Sequence, residues 1–380
     1  GPLTDKLGRR TMIRILTIAM FINTVVTQIL LEFIQMNRFF LLFINQTFSA
    51  VKSYSICFLL TMELTSSSHT SFACGLSLIS YTLGEIVLTL FAYISRHWLT
   101  LKWMISVYFG LLLPYLHFLP ERHYWLLRKY SELELLLRRM ASKNGYSDKN
   151  WYPLYHKLIS RDNFEEITKT KETKSNSKKY FQKYIPRLLI SGLIQFITML
   201  LYTKISYGLA ASNTTFSPYV NFIFGAFVEA IGYLLAAIAI ITSLGRKYSL
   251  ILFSSLTSIC ILIIPLTMKE YPFLTVIISQ LGKLSVSSTV SVSWTYFPEL
   301  FPTTMRGLAN AIFVFVGSFG SVLAPIIEEV LGQQYVKYSF YIYSSSIIIL
   351  AFTICTLPET RNHSFDDEQV DHEHEQQIFI

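Results

Sequence analysis

Ten stretches of this chain stay apolar for 20 residues or more: 11–31, 39–62, 72–94, 98–119, 187–210, 218–242, 248–268, 272–296, 308–331 and 338–357. A helix rises 1.5 Å per residue, so each run can span roughly 30 Å of hydrocarbon. Strands of a membrane barrel need only about ten residues each and alternate in polarity. These runs are longer and uniformly apolar. In lipid a helix is the element that satisfies its own backbone groups. The runs therefore predict an all-α, polytopic membrane protein with about ten transmembrane helices. Only 15% of the residues are charged, against about 25% in a soluble domain.

The charges that remain are distributed by side. If the chain starts in the cytoplasm, 24 of its 32 Lys and Arg fall on cytoplasmic segments, including 16 in 120–187. The opposite side holds Arg38, Arg96, Lys102, Lys269 and Lys337. Long loops count for little in the positive-inside rule, yet the short loops show the same bias. The glycosylation tripeptide Asn213-Thr214-Thr215 then falls outside, as it must, and Asn213 is the expected acceptor. Orientation accounts for the basic excess, so nucleic acid is not an expected partner. Cys57, Cys74, Cys260 and Cys355 all lie within runs, without metal spacing, and read as small core residues. His363, His372 and His374 stand in an acidic tail that pre-organises no metal site. No cofactor is expected.

The layout predicts a partial N-terminal helix bundle at 1–120, a cytoplasmic loop at 121–186, a six-helix bundle at 187–360 and an acidic cytoplasmic tail at 361–380. Within the loop, 125–137 has an amphipathic pattern, and 168–179 reads as a solvated linker. Asp5-Lys6-Leu7-Gly8-Arg9-Arg10 is echoed by Leu244-Gly245-Arg246-Lys247 before a later run. Such an echo suits a parallel repeat of two six-helix halves, if two helices precede residue 1.

These motifs resemble those of the major facilitator superfamily, and within it the organic cation/anion/zwitterion transporters. Gly1 to Arg10 matches the family's loop of form G-x-L-x-D-R/K-x-G-R-R/K between helices 2 and 3. Pro120-Glu121 with Trp125-Leu126-Leu127 matches the PESPRWLL segment, although Arg122-His123-Tyr124 replaces Ser-Pro-Arg. Ser206-Tyr207-Gly208-Leu209, Glu299-Leu300-Phe301-Pro302-Thr303 with Arg306, and Leu357-Pro358-Glu359-Thr360 follow in the family's order. The resemblance implies a major facilitator fold holding helices 3 to 12, with helix 1 and most of helix 2 missing from the sequence. It also implies a secondary transporter of small organic ions or metabolites, a small organic solute and the lipid bilayer as partners, and a multi-pass location in the plasma membrane. A sugar or other polar-metabolite porter of the same fold stays open, as does a non-transporting membrane fragment. No carboxylate pair, His-Cys cluster or nucleophile constellation suggests an enzyme.

Ionisable groups inside runs are the informative residues, because each is costly in lipid unless a cavity or partner receives it. The resemblance assigns Lys52, Glu229 and Lys283 to the central cavity, and Tyr207 by its motif. Structural ion pairing within the bundle is the competing reading. Ser318 occupies the position that carries Asp in cation carriers or Arg in anion carriers, so solute sign is left open. Lys204 is expected to snorkel outward, and Glu85 has either Lys52 or solute to meet. Of the aromatics, Tyr207, Trp294, Tyr296, Phe222 and Phe224 could stack on a flat solute or pack helices. A gate-locking charge cluster is expected from Asp5, Arg9, Arg10, Glu63 and Glu121 in one half, and Arg246, Glu299, Arg306 and Glu359 in the other. Gly225, Gly232, Gly317 and Gly320 are expected at close helix contacts.

Overall fold

The computed structural model describes residues 8–33, 38–49, 53–65, 69–119, 130–149, 151–153, 174–208, 217–268, 270–301, 305–331 and 336–360. Its long elements are all helical: α1 (Arg9–Phe33), α2 (Arg38–Ser49), α3 (Ser53–Leu64), α4 (Thr70–Ser95), α5 (Trp98–Leu112), α6 (Tyr130–Lys143), α7 (Lys174–Thr203), α8 (Pro218–Ile241), α9 (Gly245–Thr267), α10 (Pro272–Glu299), α11 (Arg306–Leu331) and α12 (Val336–Cys355). Among the described residues, nine helices are long and apolar enough to cross a bilayer.

Two expected elements differ. The run 39–62 is described as two helices, α2 and α3, on either side of 50–52. The presumed linker 168–179 is overrun by α7, which starts at Lys174, where unbranched Lys and Gln are adequate helix formers. The contacts group Gly1–Leu119 with Arg187–Ile380 in one compact unit and Pro120–Pro186 in a second. In the second unit, α6 overlaps the end of the stretch 125–137 and carries an Arg138–Glu134 pair one turn apart.

Local chemistry sets the helix ends. Pro218 and Pro272 open α8 and α10, where the missing N–H is harmless. The Ser217 hydroxyl caps α8 by accepting from Val220 N. At the start of α9 the Glu359 carboxylate accepts from Arg246 N at 3.1 Å and Lys247 N at 3.0 Å, an acid placed on a helix N-terminus from the far end of the bundle. In α5, Pro114 follows the last full turn and the chain tightens into a 3-10 segment over Leu113–Phe118.

Within the first unit, α8 packs on α4 and α10, and α9 packs on α10 and α12. Exposed Ile, Leu and Phe stripe the outer faces of α8 and α9, as helices bathed in lipid require. The inner half of α10 is instead a ladder of small polar residues, with Ser285, Ser287, Ser288, Ser291, Ser293 and Thr295 all buried. Most of those hydroxyls bond a carbonyl three or four residues back, as Ser285 does to Gly282, so they are compatible with apolar surroundings. Small side chains also let neighbours approach. A Cβ on Gly320 would stand 2.2 Å from the Phe196 carbonyl oxygen, so α7 and α11 touch there backbone to backbone. The other three expected glycines also sit at close contacts between helices.

Candidate functional site

The site is built where α8 and α10 cross at mid-membrane. Glu229 and Lys283 face each other, Lys283 Nζ lying 3.2 Å from Glu229 Oε2. The lysine reaches its partner over Gly225, where a Cβ would stand 2.9 Å from Nζ. Both groups are buried, Glu229 completely. Two tyrosines complete the carboxylate's shell: Tyr202 donates to Oε1 at 2.7 Å from α7, and Tyr233 donates to the same oxygen at 2.6 Å. A carboxylate with two hydroxyl donors and a cation has its charge met, which is the condition for carrying it inside a bilayer.

About three turns further along α10 lies an aromatic layer. Trp294 of α10 packs edge to face on Phe58 of α3 with centroids 5.2 Å apart, and also touches Tyr54 and Phe313. This layer joins helices from the two ends of the chain. Beside it three buried polar atoms lack a hydrogen-bond partner: Trp294 Nε1, Gln195 Nε2 and Asn310 Oδ1. Gln195 Oε1 accepts from Ser293 at 3.4 Å, so α7, α10 and α11 converge on a patch with free hydrogen-bonding capacity.

Where α9 begins and α10 ends, Arg246 meets Glu299 through Nε at 2.5 Å and Nη2 at 2.7 Å. The Thr360 hydroxyl also reaches Glu299, and Glu359 caps α9. Arg306 Nε donates to the Pro298 carbonyl at 2.9 Å. All four expected residues of this half thus gather around the α9 and α10 ends. In the other half Arg10 Nη2 and the Arg14 guanidinium donate to the Leu116 and His117 carbonyls, closing the end of α5 as cations favourably do. Arg9 is buried at the start of α1.

Ser318 is half-buried and its hydroxyl donates to its own helix at Val314 O, 2.8 Å away. Lys204 departs from expectation. It is buried rather than snorkelling, pairs with Glu328 at 2.6 Å and lies 4.8 Å from the Phe340 ring. A carboxylate one helix away and an aromatic face make burial less costly than extension. Trp294 packs in the aromatic layer, the Tyr296 hydroxyl donates to the Pro358 carbonyl, and Phe222 and Phe224 are exposed. Asp5, Lys52, Glu121, Asn213, His363, His372 and His374 lie outside the described residues, as do the side chains of Glu63 and Tyr207.

Sequence reasoning missed Tyr202, Tyr233 and Glu328. Tyr233 follows Glu229 by one helical turn, a spacing that could have flagged it. Tyr202 and Glu328 come from other helices and leave no local signal.

The model of the "Sugar (and other) transporter" family matches residues 1–371. The chain belongs to that family. It is a transporter family, not an enzyme family, and the protein is a multi-pass membrane protein. The chain is 28% identical over 361 residues to the rat "Organic cation/carnitine transporter 2", covering 92% of this chain and 61% of that one. It is 28% identical over 319 residues to the Drosophila melanogaster "Beta-alanine transporter", covering 81% and 50%. It thus spans between half and two thirds of the length of these relatives. The fold is that of the major facilitator proton:xylose symporter XylE, with a TM-score of 0.75 at 16% identity over 94% of this chain and 82% of that one. The likeness to organic-ion transporters, read from short motifs, extends over most of the chain.

Proposed function

We propose that the protein is a secondary carrier of small organic solutes that works by alternating access, with the Glu229–Lys283 pair at the centre of its binding site. The observation that carries this is a fully buried carboxylate and ammonium, 3.2 Å apart, held at mid-membrane by two tyrosine hydroxyls. A merely structural tie could be replaced by apolar residues at little or no loss. A site that must exchange partners needs charge that a solute can borrow.

The pair also argues for a class of solute. It is charge-balanced, and Ser318 adds no net charge. A zwitterion can lay its ammonium on Glu229 and its carboxyl on Lys283, leaving neither group unpaired. A monovalent cation or anion would strand one of them. The relatives named for carnitine and β-alanine, both zwitterions at neutral pH, support the same class. Lys52 is assigned to this site by the family resemblance of its position, and Tyr207 by its motif.

The Trp294 layer is the natural inner barrier, because it joins the first bundle to the last below the pair. Release to the cytoplasm would part it, with the charge clusters around Arg246–Glu299 and around Asp5, Arg9, Arg10, Glu63 and Glu121 rearranging at the same time. The halves at 1–120 and 187–360 are the bodies that would rock, the plasma membrane is the proposed location, and Asn213 is the glycan acceptor.

A second reading is a neutral, hydroxyl-rich solute. It is favoured by the unpartnered atoms of Gln195, Trp294 and Asn310, which could receive hydroxyls.

The test is saturable uptake into proteoliposomes of labelled zwitterions, organic cations, organic anions and hexoses, with Glu229→Gln and Lys283→Gln alongside. Removing one member of a buried pair costs about 3–5 kcal/mol, so zwitterion uptake should fall at least roughly tenfold in either variant. Hexose uptake insensitive to both would establish the second reading. No uptake by a monodisperse, thermally cooperative preparation would sink both and leave a non-transporting membrane protein.

A further inference from the structure

Lys283 has a second acceptor beside it on its own helix. Gln280 stands three residues earlier on α10, and residues so spaced are neighbours on one helix face. The Oε1 of Gln280 is buried and has no hydrogen-bond partner. An amide oxygen left that way is costly unless some state of the protein brings it a donor.

The course of the lysine chain carries its ammonium toward that residue. α8 and α10 touch at two heights. At Gly232 a Cβ would stand 2.6 Å from the Leu284 carbonyl oxygen, and at Gly225 one would stand 2.9 Å from Lys283 Nζ. The two glycines are seven residues apart, roughly 10 Å along α8. Lys283 and Leu284 are adjacent, so the lysine stem supplies most of that distance. It does so by running back toward the start of α10, the direction in which helical side chains lean. Gln280 lies on that side.

The contact with Glu229 is incomplete. Lys283 Nζ is 3.2 Å from Glu229 Oε2, close enough for an ion pair, yet that oxygen receives no hydrogen bond. Both tyrosine hydroxyls are spent on Oε1. An ammonium has three donors on a flexible four-carbon stem. It can turn from Glu229 Oε2 to Gln280 Oε1 without leaving the site, and Glu229 keeps its two tyrosines when it does.

We infer that Gln280 is the positioning residue that sets which charge of solute the site accepts. In the solute-bound state Lys283 donates to Gln280 Oε1 and to the solute's carboxylate, while Glu229 receives the solute's cationic end. Gln280 is neutral, so it holds the ammonium aside without cancelling its charge, and a carboxylate on the solute is still required. The inference rests on the Glu229–Lys283 pair being the solute site.

The test is uptake into proteoliposomes of labelled β-alanine, a zwitterion, and labelled tetraethylammonium, a fixed cation, by the parent and two variants. Gln280→Leu removes one hydrogen bond to a charged group, and only from the bound state. KM for β-alanine should rise about tenfold with little change in Vmax. The unfolding midpoint should not fall, because the solute-free protein loses an acceptor that had no partner. Gln280→Glu gives Lys283 a permanent anionic partner and leaves Glu229 open. Uptake of β-alanine should then fall and that of tetraethylammonium rise, reversing the parent's preference. An unchanged KM in Gln280→Leu, or an unchanged preference in Gln280→Glu, would overturn the inference. So would a lowered midpoint in Gln280→Leu, which would give the oxygen a partner in the solute-free protein. If the parent's β-alanine uptake still depends on Glu229 and Lys283 in those cases, the role of Gln280 alone falls. If the parent takes up no zwitterion, the solute site falls with it.

Discussion

Glu229 shows how a single side chain acquires its meaning from neighbours. Its carboxylate takes two tyrosine hydroxyls on one oxygen and a lysine on the other. Removing Tyr233's hydroxyl leaves the fully buried charge with one donor fewer. Tyr233→Phe should destabilise the protein by about 1–3 kcal/mol. If the pair binds solute, KM should also rise while the fold survives. Thermal unfolding and uptake kinetics on the same preparation separate the two effects. A variant as stable as the parent would mean that the hydroxyl is not part of the carboxylate's shell. Position 229 could be flagged in advance, because a carboxylate in a run of apolar residues is conspicuous. Its shell could not, except for Tyr233 at one turn's spacing.

Helix contacts carry the next constraint. The approach of α11 to α7 at Gly320 leaves no room for a methyl group against Phe196 O. Gly320→Ala should push the helices apart and cost about 1–3 kcal/mol, as overpacking generally does, read as a fall in the unfolding midpoint. An unchanged midpoint would place the two helices further apart than described. A few residues on, Lys204 and Glu328 tie the outer ends of the same helices. In a double-mutant cycle with Lys204→Met and Glu328→Leu, each single change should destabilise more than the double, because each strands one buried charge. Additive losses would show that the two groups do not interact. Gly317 and Gly320 were legible in the chain as contact points, since small residues let membrane helices approach. The partner of Lys204 was not. A lysine near a run's end looks free to reach water, and only the neighbouring helix reveals a carboxylate and two rings around it.

The two ends of the chain meet through Tyr54, Phe58, Trp294 and Phe313. The proposed alternating access requires this layer to part when solute is released. Trp294→Ala removes a large buried side chain, so a loss of about 3–5 kcal/mol in stability is expected, together with faster leak or inward release in preloaded vesicles. A loss of stability with unaltered release would assign the layer to packing alone.

Hydropathy was enough for the class of protein and for the approximate span of its helices. Those properties depend on each segment's own transfer into lipid, so they can be read segment by segment. The short motifs extended that reading to the family, because they mark turns where the backbone and the charge are locally constrained. Pairing was a different matter. Whether Lys283 met solute or Glu229 and whether Lys204 reached water depended on how helices far apart in the chain were rotated and spaced against one another. Each helix presents several faces, its hydropathy does not say which neighbour any face will meet, and the energy of a buried charge or acceptor is set by that neighbour.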